Sequence, residues 1–362
     1  VKLLVWQWGR IGGGPRYGAE LADSLRRVDG CEVVLSLSAY AEILTGAAPP
    51  RCEIPIRLVQ ASVPGLLGLV WLPWRFAALV RAIRAAQPDV AICAMPGMFD
   101  LLMVWALRLC GVTFLVVVHD AELHPGDGRP FQMRLQRALI RAAAGVITLS
   151  EYVAERLEAQ HALGRRPLIR SVHPPRPFHP PPPPVLAHGG KLRLLFFGRL
   201  LPYKGIDLLV EALKLLGPRD DFVLRVVGSG PESAELRALA ALPGVTVENR
   251  WVPEDEIGAL LAWSDALVLS HREASQSGGA AAAVAARRFV VATEVGAIPE
   301  QLRGEAMARL CPPDAPGIAA ALRDLLDNRP APLPLREPPE AAWTAMAARL
   351  VADIRAALKP AG

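Results

Sequence analysis

A doubly wound α/β architecture in two successive halves is what this sequence predicts, and three observations predict it. Short, almost wholly apolar runs alternate with segments of helical spacing, the pattern of parallel strands buried on both faces by crossover helices. The alternation breaks at a proline-dense stretch, residues 174–184, and then resumes. A length of 362 residues is enough for two domains of ordinary size, each burying its own core.

The elements follow in order. In the first half, strand-like runs at 2–6, 32–37, 90–94, 113–118 and 145–149 alternate with helical spacing at 17–27, 77–86, 101–109 and 131–143. The five consecutive prolines from Pro180 cannot enter a core element and stiffen an extended connector. They place a linker at 171–190 between an N-terminal domain, 1–170, and a C-terminal domain, 191–338. In the second half, strands are expected at 192–197, 223–227, 245–248, 266–269 and 289–292. Another proline-rich stretch, 329–339, precedes a last helix at 341–358 within a C-terminal segment, 339–362.

Composition narrows the function classes. A hydrophobic content of 52% with 21% charged residues fits a globular chain, and the net charge of +5 favours anionic partners such as sugar nucleotides or acidic lipid headgroups. No Lys/Arg block alternates with aromatics, which speaks against nucleic acid. The five cysteines are scattered without short pairing, as expected of reduced, buried thiols in a cytoplasmic protein with no zinc or other metal site. The chain opens directly on the strand-like KLLVWQW, without a charged region, apolar run and cleavage site, so no secretory signal is expected. Its apolar stretches are broken well short of a bilayer span. Residues 63–86 combine Trp71, Trp74 and Phe76 with Arg75, Arg81 and Arg84. Two readings stand for them: an interfacial helix peripheral on the inner face of a membrane, or an amphipathic helix packed on a sheet.

The most informative stretch is FFGRLLPYKGID, 196–207, in which an apolar strand runs through a turn with Gly198, Arg199 and Lys204 into a helix. Open α/β sheets bind ligands at the carboxyl ends of strands. There Gly198 allows close backbone approach, Arg199 can fork onto phosphate oxygens and Lys204 supplies a point charge at the helix start, which points to a diphosphate. Gly12, Gly13 and Gly14 follow the first strand, where they serve either ligand approach or a tight turn; GRIGGG is not the dinucleotide fingerprint. His119, beside Asp120, ends the apolar run FLVVV and can donate a hydrogen bond or hold a proton. His124 lies nearby at a spacing that does not recommend a metal. VVGSGPE, 226–232, is a second strand-turn-helix, and by itself it is weak evidence. Trp251 and Val252 follow a strand and either flank a base or join the core. In REASQSGG, Glu273 can accept from sugar hydroxyls or simply belong to a capping loop, while Gln276, Ser277 and Gly278 lead into an alanine-rich helix whose first amides favour a phosphate.

In combination and order, these segments resemble glycosyltransferases of family 4, which are retaining and have the GT-B fold of two Rossmann-like domains facing a central cleft. The pieces are GVITLSEYVAERL, FFGRLLPYKGIDLLVEAL, VVGSGPE, WVPEDEIGALLAWSDALVLS, REASQSG and VVATEVGAIPE. The resemblance covers most of the chain and is strongest over 145–301. It implies an acceptor site in the first domain, a donor site for a UDP- or GDP-sugar in the second, no cofactor or metal, and a last helix crossing back to the first domain. Residue by residue, it implies that Arg199 and Lys204 hold the diphosphate with backbone support from Gly198, Ser277 and Gly278. Trp251 and Val252 lie by the base and Glu273 by the donor sugar, His119 stands near the reacting sugar, and the loop Gly12 to Gly14 approaches the phosphates. The family's second glutamate, eight positions after the first, is Ala281 here. The resulting expectation is transfer of a hexose-type sugar to a glycan or lipid-linked glycan, as in cell-surface polysaccharide assembly. A sugar-nucleotide or glycan-binding protein without turnover is the alternative, permitted by Ala281, and an NAD-dependent oxidoreductase is a distant third because the fingerprint and its ribose acid are missing.

Overall fold

The computed structural model describes residues 1–46, 48–57, 71–127, 130–176, 185, 188, 190–333 and 338–358. The chain divides into two compact units, one made of Val1–Ala121, Arg129–Val172 and Trp343–Gly362, the other of Glu122–Gly128 and His173–Ala342. Residues 63–70 of the aromatic-basic segment, the proline run 180–184 and residues 334–337 of the second proline-rich stretch lie outside the described residues.

The first unit holds a parallel seven-stranded sheet in the order β3-β2-β1-β4-β5-β6-β7. Its strands are β1 (Lys2–Gln7), β2 (Glu32–Ser38), β3 (Ile54–Ile56), β4 (Val90–Cys93), β5 (Thr113–Val118), β6 (Gly145–Thr148) and β7 (Leu168–Arg170). Strands β1, β4, β5 and β6 are apolar and buried almost throughout because helices cover both faces. One face carries helices Leu72–Ala86, Asp100–Leu109 and Pro130–Ala142, whose inward Leu79, Ile83, Met103, Leu107, Leu135 and Leu139 share one core with Phe114 and Val116. The other face carries helix Gly13–Arg26 and the last helix, Pro339–Ala357, whose Trp343 lies 5.8 Å from the Tyr17 ring in a second core.

The second unit repeats the arrangement with a parallel six-stranded sheet, β10-β9-β8-β11-β12-β13. These strands are β8 (Leu192–Phe197), β9 (Phe222–Gly228), β10 (Val245–Asn249), β11 (Ala266–Leu269), β12 (Phe289–Thr293) and β13 (Ala308–Cys311). Helix Ile206–Leu216 buries Ile206, Leu209, Val210, Leu213 and Leu216, a stripe at helical spacing, and stops at Gly217 with φ 79°. In helix Gly278–Ala285 the buried face is all alanine, which lets the backbone settle close onto the sheet. Ser277 caps it by accepting from the Ala280 N–H, a contact worth about 1 kcal/mol.

Three short strands, β3, β7 and β13, were not expected from the sequence. The helix after β1 begins at Gly13, four residues before its apolar spacing does, so the glycine run forms the first turn itself. Helix Leu72–Ala86 likewise starts ahead of its expected position, with Pro73 in its first turn, where the missing N–H costs nothing. The cysteines correct the expectation of five buried thiols: Cys93 and Cys311 are buried, while Cys31, Cys52 and Cys110 are half-buried.

Candidate functional site

In each sheet the strand order reverses once, between β1 and β4 in the first and between β8 and β11 in the second. Such switch points leave a crevice at the carboxyl ends of the strands, because neighbouring loops diverge to opposite faces. Of the sequence candidates of the second unit, Gly198, Arg199, Lys204, Glu273, Gln276 and Ser277 fall on the two loops that flank its switch point, Gly198–Gly205 after β8 and Ser270–Ser277 after β11.

These loops are fastened to each other by contacts that tolerate little change. Gly205 has φ 66°, and a Cβ built on it would stand 1.9 Å from the Ser270 carbonyl oxygen. Ser270 Oγ donates to Lys204 O at 3.0 Å, and the Arg272 N–H donates to Tyr203 O at 2.8 Å. Gly198 has φ 121°, and a Cβ on Gly228 would stand 1.7 Å from the Gly198 oxygen. The glycines of VVGSGPE therefore serve to let the β9 turn close on the β8 turn. The same reasoning applies to Gly296, whose Cβ would stand 1.7 Å from Ala274 O.

Both cations are held in place. Arg199 donates to Tyr203 Oη at 3.0 Å and to Asp127 Oδ2 at 2.8 Å. The Lys204 ammonium lies 2.8 Å from His271 Nε2. Burial, followed by the Lys204 charge, pushes the His271 pKa well below the ordinary histidine value, so a neutral ring accepts from the ammonium. Glu273 is exposed, with Oε2 3.6 Å from His124 Nδ1. The His124 ring stacks on Tyr203 with centroids 4.7 Å apart, and its Nε2 is 3.3 Å from Ser275 Oγ. Arg199, Lys204 and Glu273 thus meet around Tyr203, with His124, Asp127 and His271 as members that sequence reasoning missed. The tandem of His119-Asp120 and His124 through Asp127 in one loop was the available signal, since its polar residues follow a strand end without forming an element of their own.

Not every candidate takes the same position. The Ser277 N–H donates to Gln301 Oε1 at 2.7 Å, so this amide is already engaged. Gly278 and Gly279 open the helix, and their amides have no intrahelical acceptor. Gln276 is half-buried beside them. Trp251 is 41% exposed, which removes the reading of it as core, while Val252 packs partly buried against the apolar cluster of β11 and its helix. At Ala281, the carbonyl accepts from the Arg176 N–H at 3.3 Å, and the Arg176 guanidinium pairs with Glu254.

In the first unit, Gly12 takes φ 84° at the helix N-cap, and a Cβ on Gly14 would press on Gln7 Nε2 at 2.8 Å and Met95 Sδ at 3.0 Å. The left-handed backbone at Gly12 favours glycine, while at Gly14 a side chain would have to displace the ends of Gln7 and Met95. A Cβ on Gly13 would meet nothing within 4 Å, so packing does not explain its identity. His119 is buried, its ring edge-on to Tyr17 at 4.9 Å, and its Nε2 lies 2.8 Å from the Ala94 carbonyl. A carbonyl can only accept, so Nε2 carries the hydrogen and Nδ1 the lone pair. Burial lowers the His119 pKa below the ordinary value, so the ring is neutral at pH 7.

The contact between Asp127 and Arg199 has a consequence for binding. A diphosphate that takes the Arg199 fork must displace this carboxylate. Asp127→Asn should therefore tighten UDP or GDP binding by about two- to fivefold, the worth of a partly exposed ion pair, as read by calorimetric titration. Unchanged or weaker binding would show that Asp127 does not compete.

Comparison with known proteins agrees with the two-sheet architecture. Residues 11–168 match the family described as Glycosyltransferase Family 4, and residues 191–328 match Glycosyl transferases group 1. The 2-deoxystreptamine glucosyltransferase of Streptomyces kanamyceticus is 28% identical over 306 residues, covering 77% of this chain and 79% of that protein. Among solved structures, sucrose-phosphate synthase from Thermosynechococcus elongatus superposes with a TM-score of 0.70 at 16% identity over 100% of both chains. Anabaena HepE, solved with UDP and glucose, superposes with a TM-score of 0.71 at 17% identity, covering 99% of this chain and 100% of that one. Two parallel-sheet α/β units with these neighbours define the GT-B fold. With family matches spanning most of both units, the chain belongs to the group 1, family 4 glycosyltransferases.

Proposed function

We propose that this glycosyltransferase moves a hexose-type sugar from a UDP- or GDP-sugar to a hydroxyl of a glycan, with retention of anomeric configuration. The observation that carries the reading is the placement of Arg199 and Lys204 at the switch point of the second sheet, on a turn fastened to the loop that opens helix Gly278–Ala285. As the bond from the sugar C1 to the diphosphate oxygen breaks, negative charge grows on that oxygen. Arg199, Lys204 and the Gly278 and Gly279 amides meet it with fixed donors, which stabilises the transition state more than the ground state. The acceptor oxygen bonds to C1 on the face the diphosphate leaves, and its proton passes to the departing phosphate. Glu273 accepts from the sugar hydroxyls, and the exposed Trp251 with Val252 stacks against the base. His119 is assigned to positioning the transferred sugar, and Gly13 to backbone approach of the phosphates.

A second reading, a sugar-nucleotide-binding protein without turnover, rests on Ala281, which puts no carboxylate where the family has its second glutamate. A thermal-shift screen of nucleoside diphosphates followed by a donor-cleavage assay separates the two. The proposal expects stabilisation by UDP or GDP through mass action, and cleavage of the matching sugar donor. Stabilisation without cleavage, with any acceptor glycan supplied, would favour the binding protein, and failure of every nucleoside diphosphate to stabilise the chain would sink both.

A further inference from the structure

Helices Leu72–Ala86, Asp100–Leu109 and Pro130–Ala142 cover one face of the first sheet, and their outward sides carry an unusual surface. Leu101, Trp105 and Leu109 form an exposed stripe on the middle helix at helical spacing. Trp71 and Trp74 stand exposed at the start of the first, with ring centroids 5.7 Å apart. The three tryptophans are 58%, 62% and 58% exposed in chain order, although tryptophan in a folded domain is ordinarily well buried. Grouped apolar exposure of this kind marks an interaction surface.

Charge identifies the partner. Arg81, Arg84, Arg108, Arg134, Arg137 and Arg141 are all exposed on the same three helices. The only carboxylate in the three helices is Asp100, which is wholly buried and accepts from the Gly97 N–H at 2.7 Å. An exposed face with several arginines and no exposed acid is electrostatically complementary to an anionic surface. Tryptophan with arginine suits the boundary between lipid headgroups and acyl chains, where the ring is half-solvated and the guanidinium meets phosphates. None of the described helices is long and apolar enough to cross a membrane.

We infer that this helical face docks the first unit on an anionic lipid bilayer, Trp71, Trp74 and Trp105 entering the headgroup region and the arginines pairing with lipid phosphates. Joined to the transfer reading, on which this last step rests, the face would present the enzyme to a lipid-linked acceptor.

Flotation of the full chain with vesicles tests the docking. The chain should rise with phosphatidylcholine vesicles containing phosphatidylglycerol and not with phosphatidylcholine alone. Arg81→Gln/Arg84→Gln/Arg108→Gln should weaken partition roughly a hundredfold, since each cation at the surface contributes about a fivefold factor. Trp74→Ala/Trp105→Ala should weaken it at any salt concentration, whereas raised salt should weaken the wild type. Retained thermal stability in both variants shows that the loss belongs to the surface. A wild-type chain that stays with the soluble fraction, or variants that float equally well, would overturn the proposal. So would a dimer by light scattering that Trp74→Ala/Trp105→Ala dissolves, because the face would then be covered by a second copy. A chain that floats yet binds no nucleoside diphosphate would support this surface while sinking the donor reading.

Discussion

Replacing Arg199 and Lys204 together by alanine is expected to abolish sugar transfer, lowering turnover roughly ten-thousandfold or more, on the footing that each lost donor to a developing anion costs about a hundred- to a thousandfold. The fold should survive. Arg199 is about half exposed, and its pair with Asp127 is the kind of contact that contributes only about 0.5 kcal/mol. Lys204 leaves behind a His271 already held neutral by burial, so its removal strands no charge. Tyr203, buried against both loops, remains to hold the turn. Turnover of a nucleotide-sugar donor with circular dichroism as a control checks the prediction, and wild-type turnover in a folded variant would contradict it.

The second large effect is structural. Gly205→Ala should destabilise the second unit by about 3 kcal/mol or more, because it adds left-handed backbone strain to a clash that one side chain cannot relieve. The Ser270 carbonyl that the new Cβ would strike belongs to the loop after β11, so the β8 turn must move away from it. Lys204 is the adjacent residue, and its hydrogen bond to His271 spans that same boundary. Urea unfolding should shift to a lower midpoint, and the folded fraction should bind nucleoside diphosphate more weakly. A wild-type midpoint would mean that the two loops are not fastened here.

Much of the fold was legible because parallel strands with both faces covered read as continuous apolar runs, and FLVVV or ALVL have few other uses. The edge strands β3, β7 and β13 escaped because they hold three or four residues, only one of them buried in each, which leaves no pattern to read. The early start of the helix after β1 escaped because glycine carries no helix signal, and its role there depends on Gln7 and Met95 pressing from elsewhere in the chain. At the site, Arg199, Lys204 and Glu273 could be found from their turns alone. His124 and Asp127 carried only the signal of a polar loop after a strand end: Asp127 reaches Arg199 across 72 residues of sequence, and nothing local marks either as part of the second unit. Trp251 shows the complementary case, where sequence left base contact and core burial open and exposure decided between them.

Calorimetric titration of UDP and of GDP into the wild-type chain and into Arg199→Ala/Lys204→Ala tests the diphosphate clamp most directly. One of the two nucleotides should bind the wild type, and the variant, still folded, should bind it at least about a hundredfold more weakly, as expected when two charge-assisted contacts of about 1.5–3 kcal/mol each are lost. Equal affinity in the two proteins would show that Arg199 and Lys204 do not hold the diphosphate.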